Sequence, residues 1–151
     1  FDPVNSSLFY RIFRGFNDIL LQEFIAMLDK VLNIAHESHH RLASELVTGM
    51  VCGSKLWRHA KVRKVQEWLE KRLTDTFLEL TPEVEKNWGT ALATIFGSCE
   101  PRTIAWLVEM LFRLARRPTE ISTQIKTRLY LLQSGLNQVG FHYCWNVIWI
   151  A

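Results

Sequence analysis

The chain has 151 residues, 48% of them hydrophobic and 22% charged, with a formal net charge of +3. That is enough apolar material for one packed core, and with no low-complexity tract it excludes a disordered chain. No apolar run reaches the roughly 18 residues a membrane span needs, and so small an excess of positive charge does not identify a nucleic-acid binder. Neither a membrane nor a direct nucleic-acid partner is therefore expected. Phe1-Asp2-Pro3 offers no initiator Met and no signal segment, which reads as the cut start of a soluble chain. Cys52, Cys99 and Cys144 are odd in number and widely spaced. They argue against a disulfide framework or a closed cysteine zinc site, and for a reducing compartment.

Glycine and proline fall at breaks in a helical apolar pattern. From Asp18, the residues Ile19, Leu20, Leu21, Phe24, Ile25, Leu28, Val31 and Leu32 recur at three and four, predicting a helix to about Ala35. After His36-Glu37-Ser38, with Ser38 as the N-cap, Leu42, Leu46 and Met50 run beside Ala43, Val47 and Val51 up to a stop at Gly53. A third helix is predicted from about Arg58 to Glu79 through Val65, Leu69, Leu73 and Phe77. Thr81 as cap, Pro82 in the first turn and Glu83 and Glu85 beside it mark a fourth, ending at Gly97-Ser98. Pro101 and Pro118 start two more, and an aromatic-rich helix over about 141–150 follows.

The first helices of three pairs begin near residues 18, 60 and 101, a period of about 42 within the HEAT/armadillo range. Met50-Val51-Cys52-Gly53-Ser54 echoes Thr94-Ile95-Phe96-Gly97-Ser98, and Gly135 closes the third pair, so left-handed glycine caps are expected at these ends. The predicted fold is all-α: an α-solenoid of antiparallel HEAT-like pairs over residues 18–53, 58–97 and 101–135, plus flanking helices. It forms one repeat segment over residues 1–151, cut from a longer solenoid with apolar ends.

His36-Glu37-Ser38-His39-His40 fits the H-E-x-x-H zinc pattern. It straddles a helix junction, however, and lacks a third ligand, so a solvated turn is the preferred reading. Lys55, Arg58, His59, Lys61, Arg63 and Lys64 concentrate positive charge near one helix start. Glu67 and Glu70 at helical spacing make most of this an ordinary solvated face, with Lys61 and Lys64 the candidates for phosphate contact. The tryptophans, among them Trp57, Trp88, Trp106, Trp145 and Trp149, are assigned to packing, and Gly49 and Gly89 to close helix approach. No nucleophile elbow or phosphate loop occurs, and no catalytic residue, metal site or enzymatic activity is proposed.

Glu45-Leu46-Val47-Thr48-Gly49-Met50-Val51-Cys52-Gly53-Ser54-Lys55-Leu56-Trp57 and Asn87-Trp88-Gly89-Thr90-Ala91-Leu92-Ala93-Thr94 resemble the proteasome activator complex subunit 4 family, the large HEAT-repeat proteasome activator. Pro101-Arg102, Trp106-Leu107 and Arg128-Leu129-Tyr130-Leu131-Leu132-Gln133-Ser134-Gly135-Leu136 extend the resemblance over about residues 17–140. The resemblance implies an internal slice of a dome that caps the 20S proteasome without ATP. Such a dome promotes degradation of peptides, unfolded proteins and acetylated histones in nucleus and cytosol, with a link to DNA repair. It also implies inositol phosphate binding by the whole protein and gate opening by a hydrophobic-Tyr/Phe-any tail, a pattern absent from Trp149-Ile150-Ala151. The competing expectation is a HEAT-like protein-binding adaptor or transport scaffold unrelated to the proteasome.

Overall fold

The computed structural model describes residues 1–33 and 36–138, which form seven α-helices and one 3₁₀ turn, with no strand among the described residues. Helix α1 spans Pro3–Arg14, α2 Asp18–Leu32, α3 Glu37–Gly53, α4 His59–Leu78, α5 Pro82–Ser98, α6 Pro101–Arg116 and α7 Ser122–Leu136, with the 3₁₀ turn at Ser54–Leu56. Short connections make successive helices antiparallel neighbours. They stack in two layers, α1, α3, α5 and α7 in one and α2, α4 and α6 in the other. This is the all-α solenoid that the repeat of apolar stripes predicts. The helix expected at residues 141–150 lies outside the described residues.

Local chemistry accounts for the helix starts and corrects four expectations. Helix α1 was not foreseen, yet Pro3 occupies its first turn and the Asp2 carboxylate accepts from the Val4 amide at 2.8 Å. The cap of α3 is His36, not Ser38: its Nδ1 accepts from the Ser38 amide at 3.3 Å, leaving Ser38 inside the first turn. Thr81 precedes α5 without a side-chain cap, its carbonyl instead accepting from Val84 and Glu85 at 3.1 and 3.2 Å. Pro118 does not start α7, which begins at Ser122. Residues 117–121 stay outside the helix because Arg128 reaches back to the Arg117 carbonyl at 2.9 Å and the Thr119 hydroxyl accepts from the Ile121 amide at 3.2 Å.

The core runs through the middle of the stack, with Leu28, Met50, Leu69, Leu73, Phe77, Trp88, Leu92, Ile95, Leu107 and Leu111 all essentially buried. Helix α3 is enclosed on every side from Ala43 to Met50. Its two hydroxyls there are satisfied within the helix, Ser44 donating to the Arg41 carbonyl and Thr48 to the Ser44 carbonyl, each at 2.7 Å. Glycine sets the spacing of this layer. A Cβ on Gly49 would lie 2.4 Å from the Phe9 Cβ, and one on Gly53 would lie 2.9 Å from the Tyr10 carbonyl, so α1 lies directly on α3. Gly89 receives the Tyr130 ring and Gly135 the Phe96 ring, seating α7 on α5. The close approach expected at Gly49 and Gly89 is thus observed. The expected left-handed caps are not: no glycine among the described residues has positive φ, Gly53 ends α3 with φ of −75°, and Gly97 and Gly135 sit within their helices.

Candidate interaction surfaces and the inter-pair cavity

Two polar contacts repeat across the glycine-packed layer. Glu45, 1% exposed, accepts from the Asp2 amide at 2.6 Å and the Asn5 side chain at 2.9 Å, tying α3 to α1. Glu85 accepts from the Thr127 hydroxyl at 2.9 Å, tying α5 to α7. Each carboxylate precedes its glycine by one helical turn, Glu45 before Gly49 and Glu85 before Gly89, so one motif serves opposite neighbours. The other layer is held by long side chains. Arg72 of α4 pairs with Asp29 at 2.7 Å and donates to Asn33 at 2.7 Å, and Arg113 of α6 pairs with Glu70 of α4.

The two lysines proposed for phosphate contact are placed differently. Lys61 is largely enclosed: its ammonium donates to the Phe16 carbonyl, pairs with Asp18 at 3.5 Å and lies 4.6 Å from the Trp57 ring centroid. Trp57 itself donates its indole N–H to the Phe13 carbonyl at 2.9 Å. Together they pin the turn between α1 and α2, where Phe13, Phe16 and Phe24 form an aromatic cluster with centroids 4.7 to 5.7 Å apart. Lys64 is exposed on α4. Arg63 pairs with Glu67 at 3.2 Å, the helical ion pair its spacing predicts, whereas Glu70 is committed to Arg113.

The histidines of the zinc-like pattern do not both lie within one helix. His36 is the N-cap, with its Nδ1 2.8 Å from the Ser38 hydroxyl. His40 lies inside α3, where the Trp88 indole donates to its Nδ1 at 3.3 Å. Burial, and secondarily His39, hold the His40 imidazole below its ordinary pKa. Among the described residues no three His, Cys, Asp or Glu side chains converge as metal ligands.

A cavity of about 410 Å³ opens between the ends of α3 and α5 and the starts of α4 and α6. Trp57, Val62, Val65 and Trp106 line it, as do Cys52 and Cys99, whose sulfurs lie side by side 3.4 Å apart. Cys52 is the penultimate residue of α3, and Cys99 follows α5 directly. The hydrogen bond shared between the two sulfurs, with help from the Lys55 ammonium against the cost of burial, holds Cys99 below the usual thiol range. The same bond and burial push Cys52 up. Cys144 lies outside the described residues.

The ends of the stack are apolar. On α1, Val4, Leu8 and Ile12 are 74, 54 and 44% exposed, and along α7 and its N-cap Ile121, Ile125 and Leu129 are 53, 43 and 53% exposed. Both stripes have a spacing of four, the row a neighbouring helix would cover.

Stacked antiparallel pairs with a period near 42 residues, glycine-seated helices and, among the described residues, uncovered apolar stripes at both ends define a HEAT-type solenoid. A family model described as "Proteasome activator complex subunit 4-like, HEAT repeat-like" matches residues 1–134, and the chain belongs to this family. It is 36% identical over 138 residues to proteasome activator complex subunit 4 of Bos taurus and of Homo sapiens, and 35% identical to that of Xenopus laevis. Each match covers 91% of this chain and 8% of the relative's length.

Proposed function

We propose that the chain is a non-catalytic structural segment of an activator that caps the 20S proteasome without ATP. Through the full-length protein it serves the degradation of peptides, unfolded proteins and acetylated histones in nucleus and cytosol. The observation that carries this reading is the pair of exposed apolar stripes, Val4-Leu8-Ile12 and Ile121-Ile125-Leu129, on a chain spanning 8% of the proteasome activators it matches. Each stripe has the geometry to receive a further helix pair, so the segment's contribution is the continuity of the solenoid wall. The test is retention of the full-length protein on immobilised 20S particles, with peptide hydrolysis measured alongside. Retention and stimulated hydrolysis are expected, and Leu8→Asp with Ile125→Asp should abolish both by breaking the wall. Reproducible absence of core subunits on the full-length protein overturns the reading in favour of an adaptor.

A further inference from the structure

We propose that Cys52 and Cys99 form a redox-responsive dithiol that closes to a disulfide on meeting a hydroperoxide, stapling the end of one helix pair to the turn that follows the next. The geometry is already close. The sulfurs are 3.4 Å apart although the residues are 47 apart in sequence. Reaching the roughly 2.05 Å of a disulfide requires an approach of about 1.4 Å, within reach of side-chain rotation and small shifts at two helix ends. Both cysteines are half-buried and line a cavity of about 410 Å³, large enough to admit a small peroxide. Cys52 and Cys99 are also held by different elements, the former by α3 and the latter by the hydrogen bond its backbone N–H donates to the Ile95 carbonyl at 2.9 Å at the end of α5. A bond between them therefore crosses a joint of the solenoid.

The roles follow from the surroundings. Lys55 lies beside Cys99 and is paired at 3.5 Å with Glu100 at the rim, while His59 also borders the cavity. The Lys55 ammonium favours ionisation of Cys99, and the Cys52 sulfur at 3.4 Å is then placed to donate its proton to that thiolate, so Cys99 is the attacking thiolate and Cys52 the resolving thiol. In the first step the Cys99 sulfur attacks one peroxide oxygen and the O–O bond breaks. Cys99 becomes a sulfenic acid, and the leaving alkoxide or hydroxide takes up a proton. In the second, the Cys52 sulfur attacks the Cys99 sulfur, the S–O bond breaks, and hydroxide departs with the Cys52 proton as water. Two thiols are oxidised by two electrons, and one hydroperoxide is reduced to an alcohol, or to water when the oxidant is hydrogen peroxide, with a further water released. A cellular dithiol reductant restores the open form by thiol-disulfide exchange.

The experiment treats the full-length protein with hydrogen peroxide, blocks remaining thiols with N-ethylmaleimide, digests it, and compares peptides before and after reduction. A Cys52–Cys99 linked peptide that disappears on reduction is expected. Cys52→Ser should leave Cys99 as a sulfenic acid trapped by dimedone, and Cys99→Ser should slow peroxide consumption roughly tenfold or more. Cys52→Ala and Cys99→Ala, checked by circular dichroism, repeat the comparison should either serine disturb folding. Recovery of both cysteines as maleimide adducts after peroxide exposure overturns the proposal. So does oxidation of each cysteine separately to sulfinic acid with no linked peptide.

Discussion

At Gly49 an added methyl meets the backbone of α1, with the Phe9 carbonyl carbon and the Tyr10 nitrogen both 2.9 Å away, and neither can rotate aside. Gly49→Ala should therefore destabilise the protein by about 1–3 kcal/mol, read by denaturant unfolding. Gly97 presents the opposite case. It is exposed, inside α5 and at ordinary backbone angles, with its nearest foreign atom 3.9 Å away. Gly97→Ala should stabilise by about 0.5–1 kcal/mol, since only the helix cost of glycine remains. His40 gives a pH dependence. Its folded imidazole takes up a proton at lower pH than the unfolded chain does, near pH 6.5. Stability is thus fully present above that value and is lost as pH falls from it toward the folded value, because there only the unfolded state gains the proton. Thermal unfolding between about pH 7.5 and 5.5 should show this fall, and His40→Gln should flatten it.

At the scale of elements, the α1–α2 turn depends on contacts from far along the chain. Trp57→Phe keeps an aromatic ring but removes the 2.9 Å hydrogen bond to the Phe13 carbonyl. A loss of about 1 kcal/mol is expected, with faster amide exchange confined to the turn around Phe13 and Phe16. These long-range dependences mark the limit of sequence reading. Helices α5 and α6 were legible because Pro82 and Pro101 announce their starts locally, and α2 and α4 because their apolar stripes repeat cleanly. Pro118 misled because a proline compatible with a helix start is equally compatible with the non-helical loop that Arg128 holds in place. Helix α1 carried a legible signal in Asp2-Pro3, the pairing of cap and first-turn proline that α5 also suggests. The use of Lys61 was not legible, since its partner carbonyl at Phe16 is 45 residues away. Cys99 lies three residues past the Phe96 that aligns with Cys52 in the repeat, an offset that becomes a contact only once α5 turns toward α6.

For the whole molecule, the uncovered stripe on α1 makes an isolated segment adhesive. Residues 1–151 prepared alone should self-associate in a concentration-dependent way by sedimentation, and Leu8→Glu should shift them toward monomer without loss of helical signal. Persistence of the same assembly in that variant would assign the contact to another face. The two layers also differ in how they hold together. The row α1, α3, α5, α7 packs closely over glycine, backbone to backbone between α1 and α3 and through the Tyr130 and Phe96 rings between α5 and α7, whereas α2, α4 and α6 stand further apart and are joined through Arg72, Arg113 and their partners. Mechanically, the glycine row is a stiff hinge line and the arginine row a compliant one. A load that bends the wall should pivot on the first and stretch the second, so the solenoid flexes by fanning α2, α4 and α6 open like the pages of a book bound along α1, α3, α5 and α7.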